Sequence, residues 1–146
     1  MDFNGEDVMH KKLTTNMMVE NVNNTVNFYN SVLGFEFVMG VPENGQNIVT
    51  SKQDNQILNF ALIKCGNIEM MFQSRKSLAD EIPEFDNISI GGSLTFYIDV
   101  EDVKQLYSVL KNKVKIIKDI QTTFYGKQEF SIQDCNGYIL TFAGTI

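Results

Sequence analysis

The chain has 146 residues, 43% of them hydrophobic, and its 12 basic and 18 acidic side chains give a formal net charge of −6. This length suits one domain, or two small halves that share a core, and no apolar run approaches the roughly 18–20 residues of a membrane span. We expect neither a membrane nor a nucleic-acid partner, because phosphate binding needs clustered Lys and Arg and Arg75 is the one arginine of the chain.

The first half of the chain predicts the order β-α-β-β-β after an N-terminal arm, residues 1–13. Its helix is predicted by apolar positions at helical spacing, with Asn23 or Asn24 as the N-cap and Gly34 as the residue that ends it. A glycine suits that end because it takes a positive φ without penalty. The module built by these elements spans residues 14–73, with predicted strands at 13–19, 35–39, 57–64 and 68–73.

The second half repeats this order after a linker, residues 74–92. Glu101 and Asp102 open its predicted helix, where acidic side chains complement the helix dipole. Equivalent positions of the two halves lie roughly 80 residues apart, and a repeat of two copies indicates paired modules rather than a solenoid. The second module spans residues 93–144, with predicted strands at 93–98, 114–120, 127–133 and 138–143.

A four-stranded sheet with a single helix leaves one of its faces uncovered. Two such modules side by side predict an α+β domain in which curved mixed sheets surround a concave groove. Concave grooves with a few polar groups are the usual sites of small molecules. The repeat therefore predicts a small-molecule ligand between the modules.

Both halves of the chain contain short motifs at matching positions of the predicted modules. They are Val19-Glu20-Asn21, Phe28-Tyr29, Leu33-Gly34-Phe35, the run from Tyr97 to Val103, the run from Tyr125 to Phe130, and Asp134-Cys135-Asn136-Gly137-Tyr138. These motifs resemble the vicinal oxygen chelate superfamily, which includes glyoxalase I, extradiol dioxygenases and bleomycin-resistance proteins. The resemblance covers roughly residues 13–144 and implies paired βαβββ modules assembled as a homodimer. Family members usually have Pro where Cys135 stands.

Metal-dependent members of that family hold their ion with four ligands, mostly His and Glu, on the first and last strands of each module. The resemblance places these positions at Thr14, Glu69, Ser93 and Thr141. Only Glu69 is a good ligand, because neutral hydroxyls are poor donors to a catalytic divalent ion. We therefore expect no metal site of the family type and no cofactor. His10 is expected to lie in solvent on the arm.

Period-two alternation from those four positions predicts the side chains that line the groove. Phe124 and Tyr125 join them, since the resemblance implies that this segment covers one end of the groove. Glu69 is the one carboxylate of the set, and a collapsed groove filled by the same side chains is the alternative interpretation. The predicted ligand-binding residues are Asn16, Met18, Glu69, Met71, Gln73, Ser93, Thr95, Tyr97, Phe124, Tyr125, Ile139 and Thr141.

The predicted function is that of a small-molecule-binding protein that sequesters a hydrophobic or cationic ligand and lacks the family metal. One alternative is a metal-dependent lyase or isomerase of the glyoxalase type, and another is a metal-free enzyme with Glu69 as general base. Glu69 is the best catalytic candidate. It has three interpretations: a metal ligand, a groove carboxylate that accepts a ligand's cation or N–H or acts as a base with a raised pKa, or a structural residue that pairs with Lys64 or a neighbouring backbone amide.

The two cysteines, Cys65 and Cys135, fall in corresponding hairpin turns of the two modules. The pseudo-twofold relation holds these turns apart, so we expect no disulfide. The acidic N-terminus also lacks the basic and apolar regions of a secretory signal. Together these features predict a cytoplasmic protein.

Overall fold

A computed structural model describes residues 4–45 and 47–146. Two four-stranded sheets form, one from each module, and they are curled but not closed. The predicted α+β fold of two βαβββ modules is confirmed. Residues 1–3 of the predicted arm lie outside the described residues. None of the described helices has the length and apolar character that crossing a membrane requires.

Each module places a parallel pair of strands at one edge of its sheet. The first module consists of β1 (Thr15–Val19), α1 (Val22–Ser31), β2 (Glu36–Pro42), β3 (Leu58–Cys65) and β4 (Ile68–Ser74). Its strands lie in the order β1-β4-β3-β2, with β1 parallel to β4 and the other neighbours antiparallel. The linker contains one α-helix, α2 (Arg75–Glu81), followed by a short 3-10 helix at Pro83–Phe85.

The second module repeats the arrangement in the order β5-β8-β7-β6, with β5 parallel to β8. Its elements are β5 (Thr95–Asp99), α3 (Val103–Leu110), β6 (Lys115–Thr122), β7 (Lys127–Gln133) and β8 (Ile139–Thr145).

The N-cap of α1 is Asn21, whose side chain accepts a hydrogen bond from the backbone N–H of Asn24 at 2.9 Å. The predicted caps, Asn23 and Asn24, are wrong, because they lie two and three residues beyond Asn21, inside the helix. Asn23 instead uses its side-chain oxygen to accept from the backbone N–H of Leu58, which ties the helix to β3. The helix ends at Ser31 with Val32 as its C-cap, and Gly34, the predicted end, lies two residues after the cap with φ of 78°.

Helix α2 gives the linker a structural role that the sequence prediction did not include. The side chain of Ser74 caps it by accepting from the backbone N–H of Ser77. Leu78 is 3% exposed and anchors the helix, which packs against β4 and β1. The linker therefore covers part of the first sheet.

The helix-covered faces of both sheets share one hydrophobic core. Tyr29 of α1 packs on Phe72 of β4 with ring centroids 4.9 Å apart, and Tyr107 of α3 packs on Phe130 of β7 at 5.2 Å. Because side chains alternate along a strand, these contacts assign one face of each sheet to its helix. The opposite face of each sheet, called here its open face, remains for other groups.

The two modules meet at a buried hydrogen-bond network around Asp134, in the loop between β7 and β8. One carboxylate oxygen accepts from Tyr29 Oη at 2.6 Å, and the other accepts from the backbone N–H groups of Asn136 and Tyr138. Tyr138 Oη donates to the carbonyl of Met18 at 2.7 Å. Burial raises the pKa of Asp134 and of Tyr29, as expected for ionisable groups at a dry junction.

We expect Tyr29→Phe to lower the free energy of unfolding by about 1–3 kcal/mol, because it leaves a buried acceptor of Asp134 without its donor. The matched control is Tyr107→Phe, since Tyr107 donates to Asp119 at the surface. That variant should change stability by at most about 0.5 kcal/mol. Urea denaturation measures both, and equal effects of the two substitutions would contradict the assignment of the junction.

Candidate functional site

The open face of the first sheet brings four predicted residues together. Across the β1–β4 pair, Asn16 lies opposite Met71 and Met18 lies opposite Gln73. Asn16 Nδ2 donates to Gln73 Oε1 at 2.8 Å, and Gln73 is only 5% exposed. These amide and thioether side chains are therefore neighbours on the open face.

Helix α2 adds two side chains that the sequence prediction missed. Gln73 Nε2 donates to Ser77 Oγ at 2.9 Å and to Glu81 Oε2 at 2.7 Å. A cleft of about 340 Å³ opens beside them, lined by Asn16, Val41, Pro42, Gly45, Asn59, Phe60, Gln73, Ser77 and Glu81. Ser77 and Glu81 are four residues apart, so an interpretation of the linker as helical would have put both on one face.

Glu69 forms an ion pair that differs from the predicted one. Both of its oxygens lie 2.8 Å from Lys12 Nζ, at the end of the N-terminal arm. Lys64 is the cross-strand neighbour of Glu69, but the proposed pairing with it is replaced by Lys12. The N-terminal arm thus places Lys12 within reach of Glu69. Alternation along the strands does not predict this contact, because Lys12 lies outside every strand. A ligand or substrate at Glu69 would have to displace Lys12.

The open face of the second sheet carries a chain of hydroxyl groups. Tyr97 lies opposite Thr141, and Thr95 lies opposite Ile139, across the β5–β8 pair. Thr141 Oγ1 is 2.8 Å from Thr95 Oγ1 and 2.8 Å from Ser131 Oγ. The predicted residues Thr95, Tyr97, Ile139 and Thr141 are therefore neighbours.

A second carboxylate lies on this face, which corrects the prediction that Glu69 is alone. Glu129 of β7 is 3% exposed and accepts hydrogen bonds from Tyr97 Oη at 2.5 Å and Tyr125 Oη at 2.6 Å. Lys118 Nζ is 3.7 Å from its other oxygen. Alternation along β7 from Ser131, the neighbour of Thr141, would have identified Glu129, but the prediction used only the first and last strands of each module.

The ionisation of this cluster follows from its hydrogen bonds. The phenols of Tyr125 and Tyr97 stabilise the carboxylate and hold the pKa of Glu129 below its usual range. The bond to Glu129 in turn raises the pKa of both tyrosines. At neutral pH the cluster is therefore one negative charge held by two neutral phenols.

An aromatic rim borders the cluster. Phe124 is fully exposed and contacts Tyr125 edge-on, with ring centroids 5.0 Å apart. Tyr97 and Tyr125 are each about half exposed. Only Tyr125 of the predicted covering segment reaches the site, while Phe124 presents its ring to solvent.

The residues at the family's metal positions do not fit a divalent ion. Ser93 is exposed and precedes β5, and Tyr97 rather than Ser93 lies opposite Thr141. The four positions supply one carboxylate, already paired with Lys12, and three hydroxyls, of which Thr141 is held by its neighbours. In residues 4–45 and 47–146, no three His, Cys, Asp or Glu side chains are grouped closely enough to bind a metal.

A sequence model of the Glyoxalase/Bleomycin resistance protein/Dioxygenase superfamily matches residues 13–142, which confirms the resemblance seen in the motifs. No match was found among curated proteins.

Solved structures share the fold at low sequence identity. A protein of unknown function from Agrobacterium tumefaciens has a TM-score of 0.70 and 16% identity, covering 95% of this chain and 97% of that chain. A glyoxalase/bleomycin resistance protein/dioxygenase from Nocardioides has a TM-score of 0.69 and 10% identity, covering 95% and 86%. A family enzyme from Burkholderia phytofirmans has a TM-score of 0.68 and 15% identity, covering 91% and 97%.

We expect Glu129→Gln to destabilise the protein most at neutral pH. The folded-state pKa of Glu129 is lowered, so its stabilising effect is present above the unfolded-state pKa of about 4.3 and is lost as the pH falls through the folded-state value. The stability difference between wild type and variant should therefore narrow on acidification below about pH 5. Urea denaturation between about pH 3 and pH 7 measures this.

The double variant Tyr97→Phe/Tyr125→Phe is the matched control for this titration. It keeps the carboxylate but removes the two donors that lower its pKa, so its own stability should depend less steeply on acid pH than that of wild type. A difference between wild type and Glu129→Gln that stays constant across the pH range would contradict the assigned role of the phenols.

Proposed function

Because the chain belongs to the glyoxalase/bleomycin resistance protein/dioxygenase superfamily, we propose that it is a small-molecule-binding protein that sequesters a ligand with a cationic group and a flat hydrophobic body. The observation that carries the proposal is the buried carboxylate of Glu129 under the half-exposed phenols of Tyr97 and Tyr125. Binding is proposed to need no metal ion, since the donors at the family's metal positions do not fit one.

The chemistry of the cluster favours a cation. Glu129 supplies a negative charge, and the half-exposed rings of Tyr97 and Tyr125 supply aromatic faces beside it. A cation over an aromatic face gains about 0.5–2 kcal/mol, more when water is excluded. Lys118 is the opposing group, but its side chain is 43% exposed and its nitrogen is 3.7 Å from the carboxylate, so a bound cation can displace it.

Glu69 supports the alternative of a metal-free enzyme less well. Both oxygens of Glu69 are engaged by Lys12 at 2.8 Å, whereas Glu129 accepts from two neutral phenols and has one ammonium, Lys118, at 3.7 Å. A general base must reach the proton that it abstracts. The ion pair with Lys12 stands in the way of that contact, and we therefore place the ligand at Glu129.

The test is a titration with benzyltrimethylammonium and, as its neutral counterpart, benzyl alcohol, followed by calorimetry. We expect the ammonium ion to bind more tightly than the alcohol. Glu129→Gln should weaken binding of the ammonium about tenfold, equivalent to about 1.4 kcal/mol, and leave the alcohol unchanged. Lys118→Met should strengthen it, because a competing cation is removed.

The matched control for Glu129→Gln is Asp119→Asn, which neutralises another carboxylate that accepts from a tyrosine, Tyr107, beside α3. It should leave both affinities unchanged. Equal affinity of wild type and Glu129→Gln for the ammonium ion would contradict the proposal, as would an effect of Asp119→Asn as large as that of Glu129→Gln.

We further propose that the protein is a homodimer whose partner covers Phe124, the fully exposed ring that contacts Tyr125 but does not reach Glu129. Phe124→Ser should then raise the dimer dissociation constant at least tenfold in sedimentation equilibrium. Val109→Ser, on the exposed surface of α3, is the control and should leave it unchanged. A wild-type protein that stays monomeric at all concentrations would contradict this part of the proposal.

A further inference from the structure

A second cavity, of about 580 Å³, lies between the two modules on their helix-covered sides. Ile98 and Phe142, which line it, alternate with Tyr97 and Thr141 along β5 and β8 and therefore point away from the open face. The cavity is thus separate from the site at Glu129. Its apolar lining comes from both modules and includes Leu33, Phe35, Ile68, Ile98, Leu106 and Phe142.

The cavity exists because one hairpin is shorter than its counterpart. In the second module, five residues separate the paired residues Gln133 and Ile139, and this loop reaches α1 through Asp134. In the first module, only Gly66 and Asn67 separate the paired residues Cys65 and Ile68. Asn67 of that turn lines the cavity, but among the described residues its side chain forms no hydrogen bond to α3 of the kind that joins Asp134 to α1.

Tyr107 shows the consequence of the short turn. By the internal repeat it corresponds to Tyr29, which spans the modules to reach Asp134. Tyr107 instead donates to Asp119 within its own module. The junction that is closed by a hydrogen bond on one side of the molecule is therefore open and apolar on the other side.

We propose that this junction cavity binds an apolar amine, meaning a hydrocarbon or aromatic body with one protonated nitrogen. Its volume lies within the range of about 300–1,000 Å³ that is typical of small-molecule sites. The charged residues of its lining are both carboxylates, Asp99 and Glu101. Asp99 alternates with Ile98 along β5 and pairs with Lys127 at 3.6 Å on the open-face side, so Glu101 is the carboxylate proposed to receive the amine.

The two thiols of the chain provide a reporter and its control. Cys65 lines the junction cavity, whereas Cys135 lies in the loop that closes the other junction, and both are free and exposed. A ligand in the cavity shields Cys65 from a neutral thiol reagent and leaves Cys135 accessible. Single-thiol variants separate the two signals.

The experiment follows alkylation by iodoacetamide with decylamine as the probe, below its micelle-forming concentration. In Cys135→Ser, we expect saturating decylamine to slow the modification of Cys65 at least fivefold, and decanoate to slow it less than twofold. In Cys65→Ser, the remaining Cys135 should react at an unchanged rate. Absent protection of Cys65, or equal protection of Cys135, would overturn the proposal, and equal protection by decanoate would overturn the choice of an amine.

Two further variants in the Cys135→Ser background locate the ligand. Leu106→Trp fills the cavity and should abolish the protection, while Glu101→Gln keeps the volume and should reduce the preference for decylamine over decanoate. Circular dichroism and the thermal midpoint establish that each variant folds. Protection that survives in a folded Leu106→Trp variant would place the ligand elsewhere. Glu129→Gln should leave the protection of Cys65 by decylamine unchanged. A failure of the open-face site would therefore not contradict the junction cavity, and the reverse also holds.

Discussion

Each sheet of this protein has two faces and only one module helix to cover them, and the rest of the structure follows from that constraint. The helix-covered faces supply the shared hydrophobic core, because burial of apolar side chains is the dominant favourable contribution to folding. The open faces are then available for polar groups. Glu129 and Gln73 are little exposed there, and each forms hydrogen bonds to neighbouring side chains.

The two modules share a topology but differ in how they meet their neighbour. The loop that carries Asp134 is long enough to accept a hydrogen bond from Tyr29 across the junction. The turn at Gly66 and Asn67 is shorter and, in the part of the chain that the structure describes, makes no such bond across the junction. Tyr107 instead donates to Asp119 within its own module. A difference of three residues in one loop thus separates a closed, polar junction from an open, apolar one.

The fold could be predicted from the sequence because helical spacing, turn residues and an internal repeat all indicated the same elements. Alternation also placed Gln73 and Tyr97 correctly on open faces. Three features of the structure were not predicted from the sequence, each for a physical reason. Helix α2 is short and depends on packing of Leu78 rather than on periodicity. Lys12 reaches Glu69 from an arm without any pattern, and Glu129 lies on a strand to which the alternation was not extended.

The negative charge of the second open face, Glu129, lies on a different strand from the family's metal position at Thr141. Thr141 occupies such a position and is tied into a chain of hydroxyls, while the carboxylate, Glu129, belongs to the adjacent strand, two residues from the partner of Thr141. Diagonal neighbours of this kind lie about 7–8 Å apart. A carboxylate has about four lone-pair sites. The phenols of Tyr97 and Tyr125 both donate to Oε2 of Glu129, so its Oε1 atom accepts from neither phenol. The same phenols leave the charge intact and turn aromatic rings toward solvent, which suits an organic cation better than a metal ion.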